Sequence, residues 1–323
     1  MFKNINCKNL PSLRRNIVYQ FLYELLIVFI PLFTIPYVSR VLGAENIGLF
    51  SYTYAVANYF VLFANLGIKN YGSRTIAMVR NNKEELNRNF SEILSIHIIF
   101  SIIVIFVYLV LLFFFVEDNL VIFLIQSIYV FAAVFDINWF FSGIEKFKLT
   151  VGRNTLVKIL SVFLVLVFVK TQTDLWIYAL ILALSVFVGQ SVVWFALKQY
   201  VSWRRPSWAN MKQHIRPLFV LFLPILALSL YKYMDKIMLG SISSNVQVGF
   251  YENAEKIINV PMSLIMAFGV VLMPRIANMV TSKDKGEVFK LIDMSMEAVM
   301  LLAIAISFGL AGISFVLAPI FFG

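Results

Sequence analysis

The sequence predicts an all-α integral membrane protein, a polytopic helical bundle, on three observations. Of its 323 residues 61% are hydrophobic and only 14% charged, and 32 are phenylalanine. Apolar runs of about 20 residues, enough for a helix to cross roughly 30 Å of hydrocarbon, recur along the whole chain. Lys and Arg are gathered in alternate short stretches between those runs, as in multi-pass proteins. Mean hydropathy is +0.86, far above what a water-soluble core of this size requires.

Nine apolar segments follow in order, at 17–38, 49–70, 91–116, 120–143, 155–170, 175–197, 217–240, 249–273 and 291–317. In lipid every backbone polar group must be satisfied internally, which leaves helices or closed barrels. The runs are too long for barrel strands of about 9–11 residues, so all nine are read as helices. The first follows Lys3, Lys8, Arg14 and Arg15, as a secretory signal would. It is longer than a signal's apolar core and no small-x-small cleavage site follows, so it is expected to be retained.

Of the 27 Lys and Arg, 21 lie in the stretches 1–16, 71–90, 144–158, 198–216 and 275–290. The intervening loops hold only Arg40 and Lys170, a bias that predicts a cytoplasmic N-terminus. This distribution also explains the net charge of +10 as a topology signal, and no nucleic-acid partner is expected. Cys7 is the one cysteine, so no internal disulfide is possible. His97 and His214 have no neighbouring metal-ligand residues, and no metal or cofactor is expected.

A long internal repeat organises the chain. Ile47-Gly48-Leu49-Phe50, Asn58, Arg74 and Met78-Val79 recur as Val248-Gly249-Phe250-Tyr251, Asn259, Arg275 and Met279-Val280, at a constant offset of 201 from Gly48 to Val79. Six predicted helices separate the copies, so both have the same orientation and the repeat is parallel. The expected organisation is a complete first six-helix lobe at 1–200, a cytoplasmic amphipathic linker at 201–216 and a partial second lobe of three helices at 217–323. In the linker, Pro206 and Ser207 suit a helix start, while Trp203, Arg204, Arg205 and Trp208 suit the headgroup interface.

Two of the apolar segments carry charges mid-span: Lys232, Asp235 and Lys236 in one, Glu252, Glu255 and Lys256 in the next. Spacing of i, i+3, i+4 puts each triplet on one helix face. Ionisable groups in hydrocarbon are costly and persist where they pair, face a polar interior or line a route for substrate. The pairs Lys232–Asp235 and Glu252–Lys256 within each helix are the competing reading. The repeat places Ser51, Tyr54, Ala55 and Asn58 opposite Glu252, Glu255, Lys256 and Asn259, so the first lobe carries no charge there. Asp136, followed by Asn138 and Trp139, is expected to make an interhelical hydrogen-bond site. Pro31, Pro36, Pro224 and Pro261 are expected to kink helices, as membranes tolerate.

The order Pro224, Asp235-Lys236-Ile237-Met238-Leu239-Gly240, Val248-Gly249-Phe250-Tyr251, Ala254-Glu255-Lys256-Ile257 and Met273-Pro274-Arg275-Ile276 resembles the polysaccharide repeat-unit flippases. So do Tyr37-Val38-Ser39-Arg40-Val41-Leu42-Gly43 and Gly143-Ile144-Glu145-Lys146-Phe147. These belong to the multidrug/oligosaccharidyl-lipid/polysaccharide exporter superfamily. The resemblance implies paired helical lobes around a cavity, in a bacterial cytoplasmic membrane. It implies an undecaprenyl-pyrophosphate-linked oligosaccharide as substrate, flipped by alternating access for capsular or O-antigen-type polymers. Membrane lipid and a polysaccharide polymerase are the other expected partners. A symmetric pair of six-helix lobes would need three more helices, so the chain is expected to be truncated after the ninth.

Under that resemblance Lys232, Lys236, Lys256, Arg40 and Lys69 are the candidate substrate-binding cations, with Arg40 the approximate repeat equivalent of Lys236. Lysine binds phosphate as a point charge, which suits a ligand that must later leave. Asp235, Glu252, Glu255 and Glu24 are candidates for proton or ion coupling, or for charge pairing. Two alternatives remain open, a multidrug exporter of the same superfamily and an inactive remnant. The three lysines argue against a cation exporter. An enzyme is not expected, because the longest loop is basic and of about 20 residues, too short for the extramembrane active site of a polymerase or glycosyltransferase.

Overall fold

The computed structural model describes residues 10–281 and 285–322, and among these every regular element is a helix. Cys7 lies outside the described residues, as do the side chains of Glu24 and Arg275. Ten helices follow in order: α1 (Leu10–Asn65), α2 (Ile68–Val79), α3 (Lys83–Phe115), α4 (Leu120–Val134), α5 (Asn138–Gly143), α6 (Phe147–Phe168), α7 (Leu175–Leu197), α8 (Trp208–Ile242), α9 (Asn245–Thr281) and α10 (Lys285–Phe322). Among the described residues seven helical stretches are long and apolar enough to cross a membrane.

The first two predicted segments are joined in α1 through a break at Gly43, where φ is 76° and ψ 167°. That region is open essentially to glycine alone. A second left-handed glycine, Gly67, ends the next stretch and starts α2. The predicted segment at 120–143 is divided into α4 and the short α5, because the chain turns at Phe135 with its amide bonded to the Ala132 carbonyl. The stretch 201–207 carries no helix, and α8 starts at Trp208 with Ser207 in the N-cap position. Pro217, Pro224 and Pro319 sit inside continuous helices.

The start of α3 illustrates how loop residues set an element. Asn82 has extended backbone, and its side-chain oxygen accepts from the amides of Glu84 (3.1 Å) and Glu85 (3.3 Å). Both acids also lie in the first turn, where the helix dipole favours them. Asn82→Ala is expected to cost about 1 kcal/mol. Thermal unfolding of the detergent-solubilised protein measures it, and an unchanged midpoint would remove the cap from the account.

The chain divides into two compact units, one centred on Val41–Gly249 and the other formed by Val28–Arg40 with Phe250–Gly323. In the first, α4 packs on α3 and α7, α6 on α7, and α2 on α3, α5 and α8. One core gathers Ile76, Phe90, Trp139, Phe140 and Leu218; a second gathers Ala57, Tyr108, Leu112, Phe123 and Val130. The outer faces keep large apolar side chains exposed, such as Phe113, Phe114 and Phe115 on α3 and Phe163 on α6. Such surfaces suit lipid and not water. In the second unit the Ser39 hydroxyl donates to Asn253 Oδ1 at 3.2 Å, and α10 exposes Leu301, Phe308 and Phe315.

Within the first unit the repeat closes on itself. A Cβ built on Gly48 would fall 1.6 Å from the Asn245 carbonyl oxygen, and one built on Gly249 would fall 1.9 Å from that of Ala44. Ala44 and Asn245 are themselves separated by the repeat offset, as are Gly48 and Gly249. The two contacts therefore exchange partners under the repeat, as a parallel duplication with a local two-fold relation would. Only glycine lets the helix backbones approach this closely.

Candidate functional site

The broken segment between α4 and α5 organises a polar cluster inside the first unit. Asp136 Oδ1 accepts from the backbone amide of Asn138 (3.0 Å) and from its side-chain amide (2.8 Å). The same Asn138 Nδ2 also donates to Gln190 Oε1 of α7 at 2.8 Å, and Asn138 Oδ1 accepts from the Arg153 guanidinium of α6 at 3.2 Å. Arg153 Nε further donates to Asn154 Oδ1 at 3.0 Å. The expected interhelical hydrogen-bond site is present, but Asn138 is the residue that crosses to α6 and α7. Asp136 orients it from two positions away, and the buried Trp139 Nε1 takes no partner in it among the described residues. The effect of the site is to hold a half-buried guanidinium in one orientation.

That guanidinium borders a cavity of about 410 Å³ lined also by Tyr54, Tyr129, Lys158, Ser161 and Gln190. One wall is aromatic: Phe50 stacks on Tyr54, and Tyr54 meets Tyr129 edge-on at 5.1 Å between centroids. The rest of the lining brings two cations, the hydroxyls of Ser161 and Ser185 and the amides of Asn154 and Gln190. Among the described residues no carboxylate lines the cavity. Fixed cations and donors suit an anionic oxygen-rich group, and flat ring faces suit the C–H faces of a sugar.

Arg153 and Lys158 are the functional candidates that sequence reasoning missed. Both count there as loop cations of 144–158, yet both lie well within α6. The bias of that loop therefore rests on Lys146 and on Lys148 at the very start of the helix. A signal was present, since Asn154, Lys158 and Ser161 recur at i, i+4, i+7 and so share a helix face.

The predicted charged residues are distributed over both units. Lys69, Lys232, Asp235 and Lys236 belong to the first; Arg40, Glu252, Glu255 and Lys256 to the second. Lys236 is buried, whereas Lys69, Lys232 and Asp235 are exposed, with the Lys232 ammonium 5.4 Å from the Tyr233 ring centroid. Glu252 and Lys256 form an ion pair at 3.2 Å across one helical turn, as the pairing reading expects. Arg40 donates to the Ile320 carbonyl.

A second buried network joins α2, α3 and α8. Glu92 Oε2 lies 2.9 Å from His214 Nε2, Glu92 Oε1 accepts from Asn210 at 3.0 Å, and the Tyr71 hydroxyl lies 2.6 Å from His214 Nδ1. Donation from Nε2–H to the carboxylate leaves Nδ1 to accept from Tyr71, so every group is satisfied. Asn87 and Ser91 of α3 take the amides of Ser202 and Arg204, and Arg204 pairs with Glu84 at 2.9 Å. The basic stretch before α8 is thus tied down along the first turns of α3.

The profile of the family described as "Polysaccharide biosynthesis protein" matches residues 13–280. A protein of Escherichia coli (strain K12) named "Putative O-antigen transporter" is 27% identical over 285 residues, covering 86% of this chain and 68% of its own length. One of the same name from Shigella dysenteriae is 24% identical over 281 residues, covering 83% and 68%. No solved structure gives a significant match. A family match across more than four-fifths of the chain agrees with the helical bundle: the chain belongs to the polysaccharide biosynthesis protein family.

Proposed function

We propose that the protein is a transporter that moves lipid-linked polysaccharide repeat units across the cytoplasmic membrane. The observation that carries this is the cavity of Arg153 and Lys158, a cationic and aromatic pocket among helices whose outer faces are apolar. Family membership and relatives named for O-antigen transport support the same reading. The finer substrate is an undecaprenyl-pyrophosphate-linked oligosaccharide. Its pyrophosphate needs cations, its glycan needs hydroxyl, amide and ring partners, and its tail stays in lipid.

In this reading Arg153 and Lys158 engage the anionic head within the first lobe, and Lys232, Lys236 and Lys256 are further phosphate-binding cations. Arg40 and Lys69 are outlying cations of the same route. Transport proceeds by alternating access, with Asp235, Glu252, Glu255 and Glu24 titrating or pairing during the cycle and the N-terminus in the cytoplasm.

Complementation of a strain lacking its polysaccharide flippase tests this, read as surface polymer. Arg153→Gln removes the charge but keeps hydrogen-bond donors and is expected to lower export at least tenfold with normal membrane levels. Export unchanged by Arg153→Gln, and also by joint neutralisation of Lys232, Lys236 and Lys256, would sink the anion-binding reading.

A further inference from the structure

At the end of the first unit where the α2–α3 turn meets the start of α8 lies a second cavity, of about 530 Å³. Two arginines border it, Arg74 of α2 and Arg88 of α3, together with the amides of Asn89 and Gln213. Both arginines are exposed, and neither makes an ion pair or hydrogen bond among the described residues. Its inner wall is the buried His214, held by Tyr71 and Glu92. Among the described residues no carboxylate lines it, and Glu92 and Glu84 nearby are already engaged by His214 and Arg204.

The position along the helices identifies what fills it. On α8 the exposed residues change within one turn from Lys212 and Arg216 to Phe219, Val220 and Leu223. On α2, which runs antiparallel to α8 with Gly67 against Leu218 and Phe222 and Tyr71 against His214, Arg74 follows about one turn further toward the polar end. The cavity straddles this boundary, with Arg88 and Gln213 on its polar side and Val220 and Leu221 on its apolar side. Trp203 and Trp208, both exposed, precede this boundary on its polar side, and indole rings are favoured in the interfacial region of a membrane. Guanidinium groups at the headgroup level bind phosphate with two parallel hydrogen bonds, and apolar side chains beside them accept acyl chains.

We propose that this cavity is a binding site for one anionic phospholipid of the surrounding leaflet, with Arg74 and Arg88 on its phosphate and Val220 and Leu221 against its chains. The site is separate from the cavity of Arg153 and carries no transported substrate. It clamps the α2–α3 turn to α8 from outside, where the Glu92–His214 network clamps them from within.

Native mass spectrometry of the purified, delipidated protein tests this with phosphatidylglycerol as the probe. Phosphatidylglycerol is expected to bind one equivalent at least fivefold more tightly than phosphatidylcholine, and Arg74→Gln/Arg88→Gln is expected to erase that preference. Lys212→Gln, which removes a nearby cation that does not line the cavity, is expected to preserve it. Arg88→Gln alone, at an exposed position without a partner, gives a smaller loss of preference should the double variant not be recovered. Equal preference in wild type and arginine variants, or an equal loss in Lys212→Gln, overturns the site. Displacement of the lipid by millimolar pyrophosphate in solution overturns the lipid assignment in favour of a soluble-anion site.

Discussion

Alanine at Gly48 or Gly249 is expected to leave little folded protein. In each case the added methyl would sit less than 2 Å from a carbonyl oxygen of the facing helix backbone, Asn245 for Gly48 and Ala44 for Gly249. Neither obstacle is the end of a flexible side chain, so the helices themselves must separate. Overpacking ordinarily costs about 1–3 kcal/mol, and a backbone obstruction belongs at or above the top of that range. Tyr52 packs closely on Gly240 nearby, where a methyl would meet its ring at 2.4 Å, so a shift of α8 and α9 does not relieve the clash freely. The measurement is the yield and thermal midpoint of the solubilised variants beside Gly309→Ala, where the added methyl meets nothing within 4 Å. Equal behaviour of all three would refute the close crossing. The exchange of partners under the repeat adds a sharper expectation, that Gly48→Ala and Gly249→Ala have effects of similar size.

Glu92→Ala is expected to have the other large effect. The carboxylate is buried and receives His214 on one oxygen and Asn210 on the other. Truncation strands the His214 Nε2 donor inside the core, at about 1–3 kcal/mol for each buried group left unsatisfied. The smaller side chain also leaves a void beside His214. Glu92→Gln retains an acceptor oxygen and most of the volume, and is expected to recover part of the loss. His214→Ala should approach Glu92→Ala, and the double variant should cost less than the two single losses combined, because they share one interaction. Additive losses would show that the two side chains act separately. A separate readout is protease access to the 201–207 stretch, which rises if the network secures the chain entering α8.

Most of the helices are legible from the apolar runs, and particular residues show where legibility stops. The runs mark α3, α6, α7, α8, α9 and α10 because lipid leaves the backbone no other partner than itself. The glycines at 43 and 67 announce nothing on their own, yet their left-handed backbone breaks the chain within or beside α1. Arg153 and Lys158 read as loop charges, since a basic stretch between apolar runs is the usual topology signal. The place of Arg153 inside α6 depends on Asn138 of another helix, itself held by Gln190, which supply it with polar company. Glu92 and His214 lie 122 positions apart, and no local periodicity links them.

Helical class, the succession of apolar segments, the parallel repeat and the family resemblance all follow from composition, run length and register. Those are properties of residues along one chain, and no folding is needed to read them. The meeting of polar groups is of a different kind, and it emerges in three dimensions alone. There the repeated glycines become a backbone crossing, an arginine from a supposed loop becomes the edge of a cavity, and a solitary histidine becomes the partner of a buried glutamate. The physical reason is that desolvated polar groups require specific partners, and those partners are supplied by packing across helices distant in sequence.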